Sequence, residues 1–523
     1  MDKNDDQSPA GRAVSWKRSI ASGLAKPIPN PQVDPTIRYV LLIPEDEPSE
    51  ASPMQGFSQG MVETAHVLRL LVELPADVLE PALPRSAQVG RRVNGTAAWS
   101  WTPLAVRVLG ELSVSAESPF MVILTQDPQV AKKADRWIAS QRYHPLHVSA
   151  SEASGRILMS KLTPSHLLDH FRAVLAQVAR DEPTLERRLV TEALSKWSPR
   201  EIQNFAKPVP GHNVSLPAVM ALQGAGFHFA DAGPFVGADP EDYVALIRML
   251  ATYVLDERSR HRSMAAFRTT PPQPDLYVTA PSLYSHFYEE GLGPSGTPDE
   301  RAARDLLRIL ARQAGYQLHA NAQIWSRIMK SPLARGIMEV RSAEIAIQVA
   351  AAGLAAAGTM AATVRVPPAV NRAQGSVRQF ANHVRSEKSK PTGKLIKTFA
   401  RVQERLASAV GPELTSVIER ATAIKLVTDV PLEWLPIGNL PLALRKDVAR
   451  ITATPGNLQI GLLARSGLLH LSVEAFGEVL VIAAIDRKDP IAEVLTRSLD
   501  AWAAMYVGRI SVDVTPAFSS SWS

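Results

Sequence analysis

The feature of this sequence that most restricts its fold is a set of short apolar runs that stop abruptly at polar residues. Three such runs are Ile37–Ile43, Phe120–Leu124 and Ile424–Val427, the last of which is followed by Thr428-Asp429. Short apolar runs without alternation are typical of strands buried on both faces of a parallel sheet. Helical periodicity follows the first two runs, which indicates strand–helix alternation. The sequence therefore predicts an α/β protein.

Shifts in composition divide the chain into five parts. The first part is polar and rich in proline, which predicts a disordered tail. Strand–helix alternation comes next, and helical periodicity then dominates up to the break at Val366-Pro367-Pro368. The predicted parts are a disordered tail at 1–36, an α/β domain at 37–160, a mainly helical region at 161–365, a basic helical connector at 366–420 and a C-terminal α/β part at 421–523.

Composition excludes several kinds of protein. Hydrophobic residues make up 46% and charged residues 21% of the 523, which is typical of a globular protein. The chain contains no cysteine, so disulfides, thiolate metal sites and a cysteine nucleophile on this chain are excluded. The net charge of +6 is too small to imply nucleic acid by itself.

One segment, Ile345–Val364, is apolar enough to resemble a membrane span. It consists mainly of alanine and glycine, contains Gln348, and follows the charged residues Arg341 and Glu344. These features predict a buried helix that packs closely through small residues. Met1–Asn30 lacks the apolar core of a signal peptide. We therefore expect a cytoplasmic protein that has no membrane partner.

The order of motifs in the C-terminal part resembles that of a known family. The motifs are the strand Ile424–Val427, the segment Leu432-Glu433-Trp434-Leu435-Pro436, the run ending in Ile451-Thr452-Ala453-Thr454-Pro455, the strand Val479–Ile485, a helix with Ala492 and Leu495, and a strand that ends at Val514. This order is similar to the first half of the CHAT family, the bacterial relatives of caspases. The resemblance implies an incomplete, caspase-like α/β domain at 421–523.

By the same resemblance, peptidase activity needs a histidine and a cysteine on strands that would follow about where this chain ends. The thiolate attacks the peptide carbonyl and the imidazole transfers the proton, so both groups are required. No histidine follows His470, and cysteine is absent. We therefore expect no catalytic residue and no cofactor on this chain as given. Either a further C-terminal part supplies both groups, or the domain is a degenerate scaffold.

The resemblance also implies a function. CHAT proteins often act as proteases released by a sensor, including in bacterial defence against phage. The residues before the C-terminal domain would then be the sensing or partner-binding part. We expect the chain to regulate or scaffold a CHAT-type protease, with another protein, or its own missing C-terminal half, as partner.

A basic stretch from Arg372 to Arg405 supports two alternative functions. It contains nine arginines and lysines and only two acids, Glu387 and Glu404. A solvated helical surface, nucleic acid binding and an acidic protein partner all fit this pattern. The candidate contacts to phosphate or to an acidic partner are Arg378, Arg385, Lys388, Lys390, Lys394, Lys397 and Arg401. A third function, as a structural subunit of a larger assembly, is favoured by the apolar helix at 345–364.

His166 and His170 have the i, i+4 spacing that can place two imidazoles on one metal ion. The sequence offers no third ligand at a suitable spacing, and the HExxH pattern is absent. We therefore interpret them as surface or capping histidines and predict no metal site.

Overall fold

The computed structural model describes eleven segments of the chain. They are residues 32–44, 64–94, 99–202, 212–227, 240–262, 273–280, 296–386, 393–451, 479–485, 492–505 and 510–516. The chain forms two compact units, Met1–Ala464 and Arg465–Ser523. The structure is mixed α/β with parallel sheets, as the apolar runs predict.

The first half of the first unit alternates strands and helices around one sheet. In chain order its elements are β1 (Arg38–Ile43), α1 (Thr64–Glu73), α2 (Arg85–Val93), β2 (Ser100–Ala105), β3 (Met121–Thr125), α3 (Pro128–Ser140), β4 (Leu146–Ser149), β5 (Ile157–Leu158), α4 (Pro164–Asp181) and α5 (Arg188–Ser195). The sheet is parallel throughout, with the strand order β2-β1-β3-β4-β5.

The second half of this unit is richer in helix but also contains a sheet. Its elements are α6 (His212–Gly224), α7 (Pro240–Arg262), β6 (Leu276–Thr279), α8 (Pro298–Arg312), α9 (Ala322–Lys330), α10 (Pro332–Gly358), β7 (Ala362–Arg365), α11 (Gln374–Ser386), α12 (Gly393–Arg420), β8 (Ala423–Val427), β9 (Pro436–Ile437), β10 (Leu440–Pro441) and β11 (Asp447–Ile451). Gly411, with φ of +78°, interrupts α12 before Pro412.

The second sheet repeats the winding of the first. It is parallel, with the order β11-β8-β6-β7, and its first strand in the chain, β6, has later strands on both sides. β8 and β11 come from the part predicted as a separate domain, whereas β6 and β7 come from the part predicted as mainly helical. The predicted boundary at residue 421 therefore runs between strands of one sheet.

Helix α10 lies in the apolar core that both sheets share. Among the described residues it alone has the length and composition of a membrane span, and 75% of its most apolar window is buried inside the protein. A core helix of a globular protein has the same properties. The expected single helix over 345–364 is wrong at its C-terminal end, because α10 stops at Gly358 and Met360, with φ of +51°, turns the chain into strand β7.

The predicted disordered tail lies mostly outside the described residues, which begin at Gln32. The described end of that tail forms two β-bridges, from Gln32 to Glu186 and from Thr36 to Asp77. These residues are therefore attached to the first half of the fold.

The second unit is described in three elements, β12 (Val479–Ile485), α13 (Ala492–Met505) and β13 (Ile510–Pro516). The two strands are parallel, and Val479 pairs with Ile510. The predicted strand Val479–Ile485 and the predicted helix with Ala492 and Leu495 are thus confirmed.

Candidate functional site

The predicted basic stretch forms a helical hairpin of α11 and α12. Five of the seven candidate contacts are exposed and form no ion pair with any described residue: Arg378, Arg385, Lys394, Lys397 and Arg401. The other two, Lys388 and Lys390, lie outside the described residues. Two further cations of the stretch contact the protein itself, since Arg405 donates to Ser376 Oγ at 2.5 Å and Arg372 donates to the carbonyl of Arg312.

Three contacts fix how the two helices face each other. Arg405 reaches Ser376, the rings of Phe380 and Phe399 lie 5.3 Å apart, and His383 Nδ1 lies 3.2 Å from Thr398 Oγ1. Positions advance along α11 while their partners recede along α12, so the helices are antiparallel. The contacting positions of α11 are spaced i, i+4 and i+7, which is one helical face.

The exposed cations do not share one side of this hairpin. Arg378 and Arg385 lie about 180° around α11 from the face that contacts α12, at 100° per residue. Lys394, Lys397 and Arg401 recur at i, i+3 and i+7 on one face of α12. The hairpin therefore presents cations in two directions, which is poorly suited to follow a single phosphate backbone.

An aromatic cluster joins the hairpin to the turn after β8. Trp434 lies 5.4 Å from Phe380 and 5.5 Å from Phe399, measured between ring centroids. Gln403 Nε2 donates to the carbonyl of Trp434 at 3.2 Å. Edge-to-face pairs of this kind stabilise an interface beyond their buried area. The cluster therefore places the Leu432–Trp434 turn against both helices.

Two exposed aliphatic side chains extend the face of the aromatic cluster. Val384, one turn beyond Phe380, is 47% exposed, and Ile396, one turn before Phe399, is 64% exposed. At 100° per residue Val384 lies about 40° around α11 from Phe380, and Ile396 lies about 60° around α12 from Phe399, so each borders the ring nearest to it. Each is followed in sequence by an exposed cation, Arg385 and Lys397 respectively, which lies about 100° further around its helix and therefore flanks the aliphatic side chain rather than sharing its face. We call Val384, Ile396 and these two cations the hairpin surface.

Sequence reasoning found the cations of this surface but missed its apolar part. Val384 and Ile396 fit helical periodicity as core residues, and only the packed structure shows that no described element covers them. Leu440 and Leu444, in the segment after Trp434, are also exposed, by 43% and 71%.

A second polar cluster lies at the carboxyl end of the first sheet. Thr125 Oγ1 lies 2.9 Å from His147 Nε2, and His147 Nδ1 lies 2.7 Å from Asp135 Oδ1. This is the order of a nucleophile, a base and an orienting acid. Thr125, however, is fully buried and its hydroxyl already bonds to His147 inside the protein, so the arrangement presents no exposed nucleophile.

The same cluster is closed by a cation. Arg156 Nε donates to Asp135 Oδ1 at 3.1 Å and to Oδ2 at 3.0 Å, Nη2 donates to Oδ2 at 2.5 Å, and Nη1 donates to Ser151 Oγ at 2.9 Å. The hydrogen bond from Arg156 lowers the pKa of the Asp135 carboxyl, and burial lowers the pKa of His147. Each charge has its partner, and the cluster is therefore structural.

His166 and His170, the histidines at i, i+4 spacing, make structural contacts in and beside α4. His166 and Thr163 form a capping box at the start of α4, in which Thr163 N–H donates to His166 Nδ1 at 3.1 Å. His170 packs against Phe171, and burial lowers its pKa to about 4. The capping interpretation is confirmed for His166. No group of His, Asp or Glu residues in the described part of the chain is arranged to hold a metal ion.

Comparisons with family models, with curated proteins and with solved structures found no match to this chain.

Proposed function

We propose that this chain is a regulatory or scaffold protein that docks an acidic protein segment on the hairpin surface. The observation that carries the proposal is the pair of exposed aliphatic side chains, Val384 and Ile396, beside the aromatic cluster. Exposed apolar groups that continue a packed aromatic cluster and are rimmed by polar residues are typical of protein docking sites.

Charge indicates the kind of partner. Arg385 and Lys397 flank the two aliphatic side chains on their helices and have no ion pair among the described residues. A partner with apolar side chains at helical spacing and acidic residues between them would match both features. Nucleic acid is less well supported, because phosphates gain little from aliphatic side chains and the cations point in two directions.

The wider context of the proposal is the CHAT resemblance. A strand, the Leu432–Trp434 turn and a further parallel strand at β11 follow one another in the order that the resemblance implies. On this basis the C-terminal α/β part belongs to an incomplete caspase-like domain, and the docked partner is the His- and Cys-bearing part of a cytoplasmic CHAT-type protease used in defence against phage. A partner that lacks a cysteine reactive towards electrophilic peptidase probes would contradict this context without affecting the docking surface.

The docking proposal is tested with a defined probe and the full chain. The probe is a fluorescent helical peptide with leucines at i, i+3 and i+7 and glutamates between them, and its control carries lysines in place of the glutamates. We expect fluorescence anisotropy to detect binding of the acidic peptide alone. Replacing Val384 and Ile396 with serine should weaken binding about tenfold or more, because hot-spot side chains carry most of the binding energy.

A matched variant controls for loss of apolar surface in general. Leu189 on α5 is 63% exposed, and Leu189→Ser should leave peptide affinity within about twofold, as surface changes away from a site do. Equal binding by the double serine variant and the unchanged protein would refute the proposal. A structural subunit remains an alternative function, and a stable homo-oligomer lost in the double serine variant would favour it.

A further inference from the structure

One face of the second sheet is polar although the sheet is buried. Residues two apart on a strand share a face, as do register partners on adjacent strands. Thr279 pairs with Arg365 and Tyr277 with Thr363 across β6 and β7, and Tyr277 also pairs with Lys425 of β8. These five residues define the polar face. The other face of β6 and β7 carries apolar side chains only, which are Leu276, Val278, Ala362 and Val364.

Several donors on the polar face have no partner. Arg365 is 4% exposed, and its Nε and Nη1 atoms form no hydrogen bond. The hydroxyl oxygens of Thr279 and Thr363 are also buried without a hydrogen bond, each residue being 1% exposed. Buried polar groups in folded proteins are nearly always hydrogen-bonded. Three neighbouring exceptions on one face indicate a site for a group that accepts hydrogen bonds.

The charge of this face is also uncompensated. Burial lowers the pKa of Arg365 to about 10, and the groups that act on it besides burial are the Tyr316 hydroxyl and the guanidinium of Arg341, a second cation. No carboxylate in the described part of the chain acts on Arg365. The first sheet differs, because there Asp135 compensates His147 and Arg156. A buried cation without an anion is costly, so an anion should accompany it.

The strand order of the second sheet places the polar face near the point where ligands bind in many α/β proteins. The chain passes from β6 to β7 on one side and later to β8 on the other, so the winding reverses between β6 and β8, and Thr279 of β6 borders that point while Arg365 lies on the next strand, β7. In open α/β sheets, ligands bind outside the carboxyl ends of the strands at that point. Thr279 and Arg365 are the last residues of their strands. Lys425 on the same face is only partly buried.

We propose that the polar face binds the phosphoryl group of a small anionic ligand, with Arg365 as the charged donor and Thr279 and Thr363 as hydroxyl donors. A phosphoryl group is favoured over a carboxylate because it offers three acceptor oxygens and a larger negative charge to Nε, Nη1 and the two hydroxyls, whereas a carboxylate offers two oxygens and a single charge. The site is separate from the hairpin surface, so each can fail without the other.

The test measures binding of defined anions to the full chain by calorimetry and by thermal unfolding. The probes are inorganic phosphate, a nucleoside monophosphate and acetate. We expect a phosphate-dependent rise in Tm and a measurable heat, with little effect of acetate. Tighter binding of the nucleoside monophosphate would assign the site to a phosphorylated metabolite, and tighter binding of inorganic phosphate would assign it to the free ion.

Variants separate a ligand site from a structural role. Arg365→Met should abolish the response to phosphate while keeping Tm without phosphate the same or higher, because an uncompensated buried charge has been removed. Thr279→Val, which keeps the shape of the side chain, should weaken phosphate binding about tenfold. Arg378→Met, at an exposed cation of α11, should change nothing.

Three results would overturn the proposal. They are the absence of any phosphate response in the unchanged protein, an equal response in Arg365→Met, and equal affinity for acetate and phosphate.

Discussion

Gly224 and Ala357 meet where α6 crosses α10, and a Cβ placed on Gly224 would lie 2.4 Å from the Cβ of Ala357 and 2.6 Å from its Cα. Real Cβ atoms do not approach each other so closely, and the Cα belongs to a helix backbone that cannot rotate away. Small residues on both helices thus allow the apolar core to close.

We expect Gly224→Ala to lower the free energy of unfolding by about 1–3 kcal/mol, the usual cost of overpacking a core. Urea unfolding followed by circular dichroism measures it. Gly336, on α10, is the matched control, since no atom lies within 4 Å of its added Cβ. Gly336→Ala should stabilise the protein by up to about 1 kcal/mol, because alanine favours helix more than glycine. A Gly224→Ala protein as stable as the unchanged one would contradict the close crossing.

The buried ion pair between Arg92 and Glu80 gives a second prediction. Both side chains are about 5% exposed or less, and Arg92 Nε donates to Glu80 Oε1 at 2.6 Å. Glu80→Gln keeps the shape but leaves the guanidinium uncompensated, and should cost about 3 kcal/mol. The exposed pair of Lys196 and Glu192 is the control. Glu192→Gln should cost about 0.5 kcal/mol or less, so similar losses in both variants would argue against the buried pair.

The free energy of unfolding should decrease as the pH is lowered, because of His170. Its folded pKa of about 4 lies below the ordinary value of 6.5. Below pH 6.5 the unfolded chain therefore binds a proton that the folded chain refuses, so the stability present above pH 6.5 is lost as pH falls towards 4. We expect His170→Leu to remove about 2–3 kcal/mol of the stability difference between about pH 7 and pH 4.5.

Urea unfolding at these two pH values measures that difference. His319 is exposed, and His319→Leu should leave the pH dependence unchanged. If His170→Leu and the unchanged protein lose the same stability on acidification, the imidazole is not protected from protonation.

The nucleic-acid alternative makes its own prediction for the basic helix α12. If Lys394 and Lys397 contact phosphates, binding of labelled duplex DNA should weaken steeply with salt. Lys394→Glu with Lys397→Glu should weaken it further, whereas the double serine variant at Val384 and Ile396 should leave it unchanged. Because we propose a protein partner, we expect weak DNA binding at low salt and none at physiological salt.

The strands predicted from the sequence share one property. β1, β3 and β8 each contain an apolar run with a polar or proline stop, so their signal is local. β7 lacks such a signal, because Ala362–Val364 continues the apolar composition of α10 and periodicity cannot divide one apolar run into a helix and a strand. β4 follows Pro145, a residue that indicates a turn. Leu146–Ser149 nevertheless form a strand, because they pair with β3.

The candidate sites were predictable to different degrees. Counting charges found the exposed cations of α11 and α12, since charge is a property of composition. The exposure of Val384 and Ile396 depends on which helix covers which face, and the missing partners of Arg365 depend on strand register. Both are tertiary properties, and no short stretch of sequence contains them.

The pairing of β8 has a consequence for dissecting the protein. β8 lies between β6 and β11, and its Ile424 and Leu426 belong to the apolar core that reaches back to Val33. A fragment ending at residue 420 would expose one edge of β6 and remove part of that core, and a fragment starting at 421 would begin with an unsupported central strand. Neither piece should fold alone, so residues from Val33 to Ile451 should unfold in a single cooperative transition.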